Sequence, residues 1–345
     1  MGGGCVNDNK VIRMKSVYLA SADTRSGKSV LSLGLAMNYP GKVGFYKPFR
    51  ESLYKVDDEM MDQDAMLMGE VLNLEEGRKL SPFTYDLYEP VRIDDIVKGY
   101  DELCKDKEFM IIEGSREPAN GYSNRISHAD IAKAIDAPMV IVSTATSHSI
   151  DTVFMIRDLC RQNGVRLSGV VLNRSVNSPE RKFLTDNGIR VLGEIPVMPE
   201  LKTFRVSELS RKIDAKVIAG GKGLDNQVET MLVGAMNLQS AIRYMRRAKR
   251  KALITGGDRT EILLAALSTD TSCIIVTGGL RPSQTVLSRA EEIGVPVLMT
   301  NADTLGITEV IEHLIARVDP RDKQKIELIR NNVRHGVDLE AIWRL

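Results

Sequence analysis

Gly27, Lys28 and Ser29 stand in succession where a strand-like run, Val17–Tyr18–Leu19, gives way to an apolar helical pattern. A lysine and a hydroxyl at the mouth of a strand–turn–helix suit phosphate chemistry. The turn's amides converge on an anion, the helix N-terminus adds its dipole, the lysine reaches the outer phosphates and the hydroxyl serves Mg²⁺. Counting back along GxxxxGK[ST], the first glycine position falls on Ala22, so only the C-terminal half of the motif is present. The setting between strand and helix carries the assignment. Asp23, Thr24, Arg25, Ser26, Gly27, Lys28 and Ser29 are the expected nucleotide cradle, with ATP and Mg²⁺ the expected cofactors.

Two further groups belong near that turn. KVGFYKPF, residues 42–49, reads as a second strand that carries Lys47 to its carboxyl end, where ligands bind in an open parallel sheet. FMIIEGS, residues 109–115, carries Glu113 to the end of another buried strand, a place suited to a metal or its waters. Asp62 and Asp64 precede a helical pattern, and two uses fit them: holding Mg²⁺ through water, or favouring a helix N-terminus. Lys28, Lys47 and Glu113 are thus the candidate catalytic groups, and Ser29, Asp64 and Glu113 the candidate metal ligands.

These residues need a scaffold of buried strands, and the chain supplies one. Near-continuous apolar strands at the end of SHADIAKAIDAPMVIVSTA, in LSGVVLNR (residues 167–174) and in RVLGEIPVMPE around residue 195 alternate with helices, which predicts an α/β fold with a parallel sheet covered on both faces. A second, smaller α/β unit starts near Val206, with KVIAG, KALITGG, SCIIVTGG and VPVLMT as short strands. Two of these end in TGG, so Gly256, Gly257, Gly278 and Gly279, with Asp258, Arg259 and Thr260, form a candidate second site. The alternative is a pair of capped turns without a ligand, Asp258 serving as N-cap. The predicted division is a disordered leader over 1–13, a P-loop domain over 14–205, a smaller domain over 206–318 and a charged helical appendix over 319–345.

Composition narrows the classes. The 345 residues carry a net charge of +1 and 43% hydrophobic residues, a balance that suits two soluble domains and gives no reason to expect nucleic acid. No apolar run approaches the ~20 residues of a membrane helix. Cys5, Cys104, Cys160 and Cys273 lie far apart without a CxxC pair, so structural zinc is not expected and a reducing cytoplasm is the natural setting. Gly2 with the nearby Cys5 has some likeness to an acylation signal, but Val6 stands where Ser or Thr is needed.

The order SADTRSGKS, YKP, EG after an apolar strand, VVLNR and GEIP resembles the dethiobiotin synthetase fold of P-loop proteins, over about Met14 to Glu200. GGDRTEILLAALSTDTSCIIVTGG resembles a DRTGG domain. In tandem the two are similar to the N-terminal half of long bacterial phosphotransacetylases and to archaeal stand-alone phosphotransacetylase-like proteins. The resemblance implies that Asn173 reads adenine with Pro196 packed nearby, that Lys47 serves the transferred phosphate, and that Glu113 lies near metal and substrate. It also implies a sensing or dimerising role for the DRTGG unit. The sequence departs from the synthetases at EGSREPANG, where they have EGAGG, and at Arg25. Biotin synthesis is therefore not expected. Nor is acetyl transfer, since only residues 319–345 follow the DRTGG unit. The expected function is an ATP/Mg-binding regulatory protein, the alternative an ATP-dependent ligase or phosphotransferase acting on a small carboxylate or amine. Expected partners are a nucleotide and a small metabolite, with homo-oligomerisation.

Overall fold

A computed structural model describes residues 14–308 and 318–345, apart from 52, 57–58, 75–76 and 235–236. The expected leader, residues 1–13, lies outside the described residues. The chain divides into two units, one of residues up to 197 together with 318–345, the other of 198–317.

The first unit is built on six strands: β1 (Lys15–Ser21), β2 (Val43–Tyr46), β3 (Phe109–Glu113), β4 (Met139–Ser143), β5 (Leu167–Asn173) and β6 (Val191–Ile195). They lie in the order β6-β5-β4-β1-β3-β2, and every pairing is parallel. Phe109 to Ile112 and Met139 to Val142 are fully buried, as strands covered on both faces require. After β1 the chain crosses to β2, returns to β3 and then moves to β4 on the opposite flank. β1 therefore sits at the switch point, where the crevice at the carboxyl ends opens. In register, Leu19 lies opposite Glu113, the last residue of β3, and β1 runs two residues further to Ser21 before the turn.

Helices α1 (Lys28–Asn38), α2 (Gln63–Leu72), α3 (Ile93–Leu103), α4 (His128–Ala134), α5 (Ser147–Asn163) and α6 (Pro179–Asp186) complete the alternation. The C-terminal stretch belongs to this unit rather than forming an appendix. A helix over Lys323–Gly336 buries Ile326, Ile329 and Val333, and Val333 occupies the space a side chain at position 34 would need, 2.3 Å from a Cβ built on Gly34. Asn38 Nδ2 donates to Arg330 O at 2.9 Å, and Val337 bridges Gly193 antiparallel beside β6. Two glycines widely separated in sequence make room for the returning chain, and that complementarity has no local signature.

The second unit has strands β7 (Lys216–Ala219), β8 (Thr230–Val233), β9 (Lys251–Gly256), β10 (Thr271–Thr277) and β11 (Val297–Met299), in the order β7-β11-β10-β9-β8. All pairs are parallel except β7 with β11. Alternate residues feed two cores: Leu253, Ile274 and Val276 on one face, Ala252, Ile254 and Ile275 on the other. Helices α7 (Leu238–Arg247), α8 (Thr260–Leu267) and α9 (Gln284–Ile293) cover the first face. β8 is a fifth strand beyond the four that sequence alone suggests.

Candidate functional site

α1 begins differently from α2, α4, α5 and α6. Ser127, Thr146 and Ser178 each place a side-chain oxygen on the first-turn amides of α4, α5 and α6, satisfying donors that a helix start leaves open. At α1 the cap position is Gly27, in the left-handed region at φ 93°, with no side-chain cap and no acid in the first turn. That backbone suits glycine, and a Cβ there would fall 1.9 Å from Asn173 Nδ2. The start of α1 thus offers amides and a dipole to an anion, the arrangement sought in the sequence.

The turn itself is pinned from several sides. Asp23 does not face outward: its Oδ2 accepts from Thr144 N at 3.1 Å and Thr144 Oγ1 at 2.8 Å, and its Oδ1 from Arg25 N at 3.3 Å. Ser21 Oγ donates to Asp23 O at 2.5 Å and lies 2.8 Å from Ser26 Oγ. Thr24 Oγ1 donates to Glu117 Oε1 at 3.1 Å, while Arg25 is exposed. Asn173, at the end of β5, is buried and donates Nδ2 to Ser26 O at 2.8 Å, so the residue assigned to adenine also buttresses the loop. Ile195 pairs with Asn173, which sets Pro196 at the same end of the sheet. Ala145 and Arg174, just past β4 and β5, both have positive φ, near 57° and 59°.

Charge concentrates beneath and beside the turn. Lys28 is buried, and burial lowers its pKa against the opposing pull of Glu113 and Glu51. Ser29 Oγ donates to Glu113 Oε1 at 3.1 Å and Ser32 Oγ to Oε2 at 2.9 Å. Burial, with Asp64 adding to it, pushes the Glu113 carboxyl up to about 7. Lys47 Nζ lies 2.6 Å from Asp64 Oδ2, 3.1 Å from Asp62 Oδ2 and 3.8 Å from Glu113 Oε1. Burial alone would lower the Lys47 pKa, but Asp64, Asp62 and Glu113 outweigh it and raise it. The structure thus brings Lys28, Ser29, Lys47, Asp64 and Glu113 into one cluster.

Asp62 caps α2, its Oδ1 accepting from Asp64 N at 3.0 Å and Ala65 N at 3.1 Å. Ser29 and Glu113 are hard oxygen donors side by side, and this fits Mg²⁺, which takes one or two protein oxygens and keeps waters and phosphates for the rest. Among the described residues no group of three or more His, Cys, Asp or Glu is assembled to hold a metal without such help.

Two neighbours escaped the sequence reading. Glu51 accepts from Arg116 N at 2.7 Å and acts on Lys28, Lys47 and Tyr18. Its signal was the acidic content of the stretch after Lys47, too diffuse to single it out. His128 is buried, its Nδ1 3.1 Å from Tyr18 Oη, and burial followed by Lys28 lowers its pKa to about 3, so it stays neutral. Gly114 makes room for that pair: a Cβ there would sit 2.5 Å from His128 Nδ1.

The second unit's turns differ from expectation. Gly278 N donates to Ala302 O at 2.9 Å and Gly279 N to Thr300 O at 3.0 Å, so these amides are committed to the fold and do not offer an anion site. Asp258 is not the N-cap of α8: Arg259 holds that position without a side-chain cap, and Thr260 N bonds Asp258 O at 3.0 Å. A Cβ on Gly257 would lie 1.8 Å from Leu280 O, and one on Gly256 2.6 Å from Asp258 Oδ1. Asp258, Arg259 and Thr260 do line a cavity of about 630 Å³ with Asn237 and Ile262.

A parallel sheet with a glycine-headed, uncapped helix after its central strand, a buried lysine and an adjoining hydroxyl and carboxylate defines a P-loop protein. The AAA-domain family matches residues 15–205, and the chain belongs to it; the DRTGG domain matches residues 208–314. The phosphate acetyltransferase of a Synechocystis strain is 25% identical over 94% of this chain and 50% of its own length. The ATP-dependent dethiobiotin synthetase of Bacillus velezensis is 24% identical over 54% of this chain and 85% of its own. A putative plasmid partition protein from Borrelia burgdorferi, solved with AMPPNP, aligns over 55% of this chain and 89% of its own at 12% identity and a TM-score of 0.38. The chain spans about half the length of the phosphate acetyltransferases it matches. Among the described residues no helix is long and apolar enough to cross a membrane.

Proposed function

We propose that the chain is a nucleotide-responsive regulatory protein of the phosphotransacetylase N-terminal type, binding ATP with Mg²⁺ at the 22–29 turn and performing no acetyl transfer. The observation that carries the reading is the uncapped start of α1 with Lys28 buried against it. An ammonium held there in a low-dielectric setting needs an anion to offset its burial, and a polyphosphate supplies one. Asn173 is the proposed adenine reader, Ser29 and Glu113 the proposed holders of the metal with Asp64 behind them, and the metal when bound would neutralise phosphate charge. The DRTGG unit is proposed to take a second ligand in the Asp258–Arg259–Thr260 cavity or to pair with a second copy.

One observation favours a second reading, an ATP-dependent ligase or phosphotransferase. Glu113, pushed up to about 7 by burial and Asp64, is poised for proton transfer near neutrality, and Lys47 stands beside it as a charge partner for a transferred phosphoryl. Incubation with ATP and Mg²⁺, with and without small carboxylates and amines, separates the two. ADP release stimulated by one metabolite supports the enzyme, and a thermal shift without turnover supports the sensor. Neither shift nor turnover contradicts both.

A further inference from the structure

A net charge near zero conceals one strongly basic stripe. The run RYMRRAKRK, residues 243–251, contains no acid, which leaves the remainder of the chain net acidic. It covers the end of α7 and the start of β9. Two of its cations have structural duties: Lys251 is buried and donates to Asp270 O at 2.6 Å, and Arg250 pairs with Glu229. Arg243, Arg246, Arg247 and Lys249 are exposed, and among the described residues none of them pairs with a carboxylate.

The helix is already committed on its other side. Ala241 and Met245 are buried in the second unit's core, and Leu238 packs against it. What faces outward is therefore cationic, with Tyr244 half exposed among the arginines. An anionic membrane surface would attract such a cluster by charge alone but gains no insertion from α7, whose apolar side is committed to the core. A protein partner needs buried anchors at its centre, and Tyr244 is the single large apolar side chain on offer from this stripe. Arg243, Arg246 and Arg247 span a rise of about 6 Å. Forked, weakly hydrated guanidinium groups at that density match closely spaced phosphates, and an exposed ring beside them can stack on a base.

We infer that the outward face of α7, Arg243, Tyr244, Arg246 and Arg247 with Lys249 at its end, binds single-stranded nucleic acid through backbone phosphates with one base stacked on Tyr244. Its occupant is a phosphodiester strand, and RNA and DNA arms of the same assay tell the two sources apart. The site is independent of the P-loop reading.

The test is fluorescence anisotropy of the full chain with labelled oligonucleotides of about 16 nucleotides and mixed sequence, from about 50 to 200 mM salt. The expected result is binding whose logarithm falls linearly with that of salt, by about 0.7 per phosphate contacted. R243Q/R246Q/R247Q should lose at least tenfold in affinity and about 2 in slope, with its ATP-induced thermal shift intact. Y244A should weaken binding at unchanged slope. Should the triple variant fail to fold, R243Q alone should lower the slope by about 0.7. Absence of binding at about 50 mM salt, wild-type affinity in the triple variant, or equal competition by polyglutamate overturns the inference.

Discussion

Residues 22–29 and 255–260 both follow a buried strand, both contain glycine and both lead into a helix, yet their glycines do opposite work. In the first, Gly27 takes a left-handed conformation so that the helix starts bare, and the side chains around it are bonded away from the opening: Asp23 to Thr144, Thr24 to Glu117, Asn173 to Ser26 O. In the second, Gly257 lets Leu280 O approach within 1.8 Å of where a Cβ would stand. The partner TGG goes the same way, with Gly278 and Gly279 amides taken by Ala302 and Thr300. A glycine-rich turn after a strand is thus a statement about close approach, and whether a ligand or the protein's own backbone comes close is decided by the amides left open.

The largest effect should come from the surroundings of the first turn. Lys47→Met strands Asp62, Asp64 and Glu113 without their shared cation, and removal of one partner from a buried pair costs about 3 to 5 kcal/mol. Urea denaturation should show it as a lower midpoint, and an unchanged midpoint would mean the cluster is not coupled as described. Gly257→Ala should follow, costing about 1 to 3 kcal/mol of stability through overpacking against Leu280 while nucleotide affinity is kept. A loss of affinity with stability intact would reverse the contrast between the turns. Asn173→Ala should be milder, removing a bond to Ser26 O worth about 1 kcal/mol. Competition between ATP and GTP then tells buttress from reader: loss of preference for adenine supports the base contact, and equal loss for both bases leaves only the buttress.

The pH dependence is the finest test. The folded Glu113 carboxyl is raised to about 7 from 4.5 by burial first and Asp64 second, so the native state holds its proton more tightly than the unfolded chain. Its contribution is complete below about 4.5 and is lost as pH rises through about 7. Glu113→Gln should therefore gain on the wild type in stability between pH 5 and pH 7.5, read as the difference in urea midpoints. A difference that shrinks over that range would contradict the assignment.

Much of the site could be read along the chain because each part is local. Val17 to Leu19 announce β1, GKS announces the turn, and apolar runs ending in Lys47 and Glu113 place both at strand ends, where the register of β2 with β3, Tyr46 opposite Ile112, levels them. What escaped depends on residues brought together only by folding. Glu51 matters through its reach toward Lys28 and Lys47, the Tyr18–His128 pair through the space at Gly114, and the C-terminal helix through complementarity of Val333 with Gly34. Asp258 looked like a cap because it precedes a helical pattern; the helix starts one residue later than such a cap requires, and the TGG amides were spent by a strand end some twenty residues on.

Isothermal titration of the full chain with ATP and Mg²⁺, beside Lys28→Ala, tests the central claim most directly. Loss of a charge-assisted contact worth about 1.5 to 3 kcal/mol predicts saturable binding by the wild type and an affinity at least about tenfold weaker in the variant. Equal affinities, or no heat from either protein, would contradict a polyphosphate seated at the start of α1.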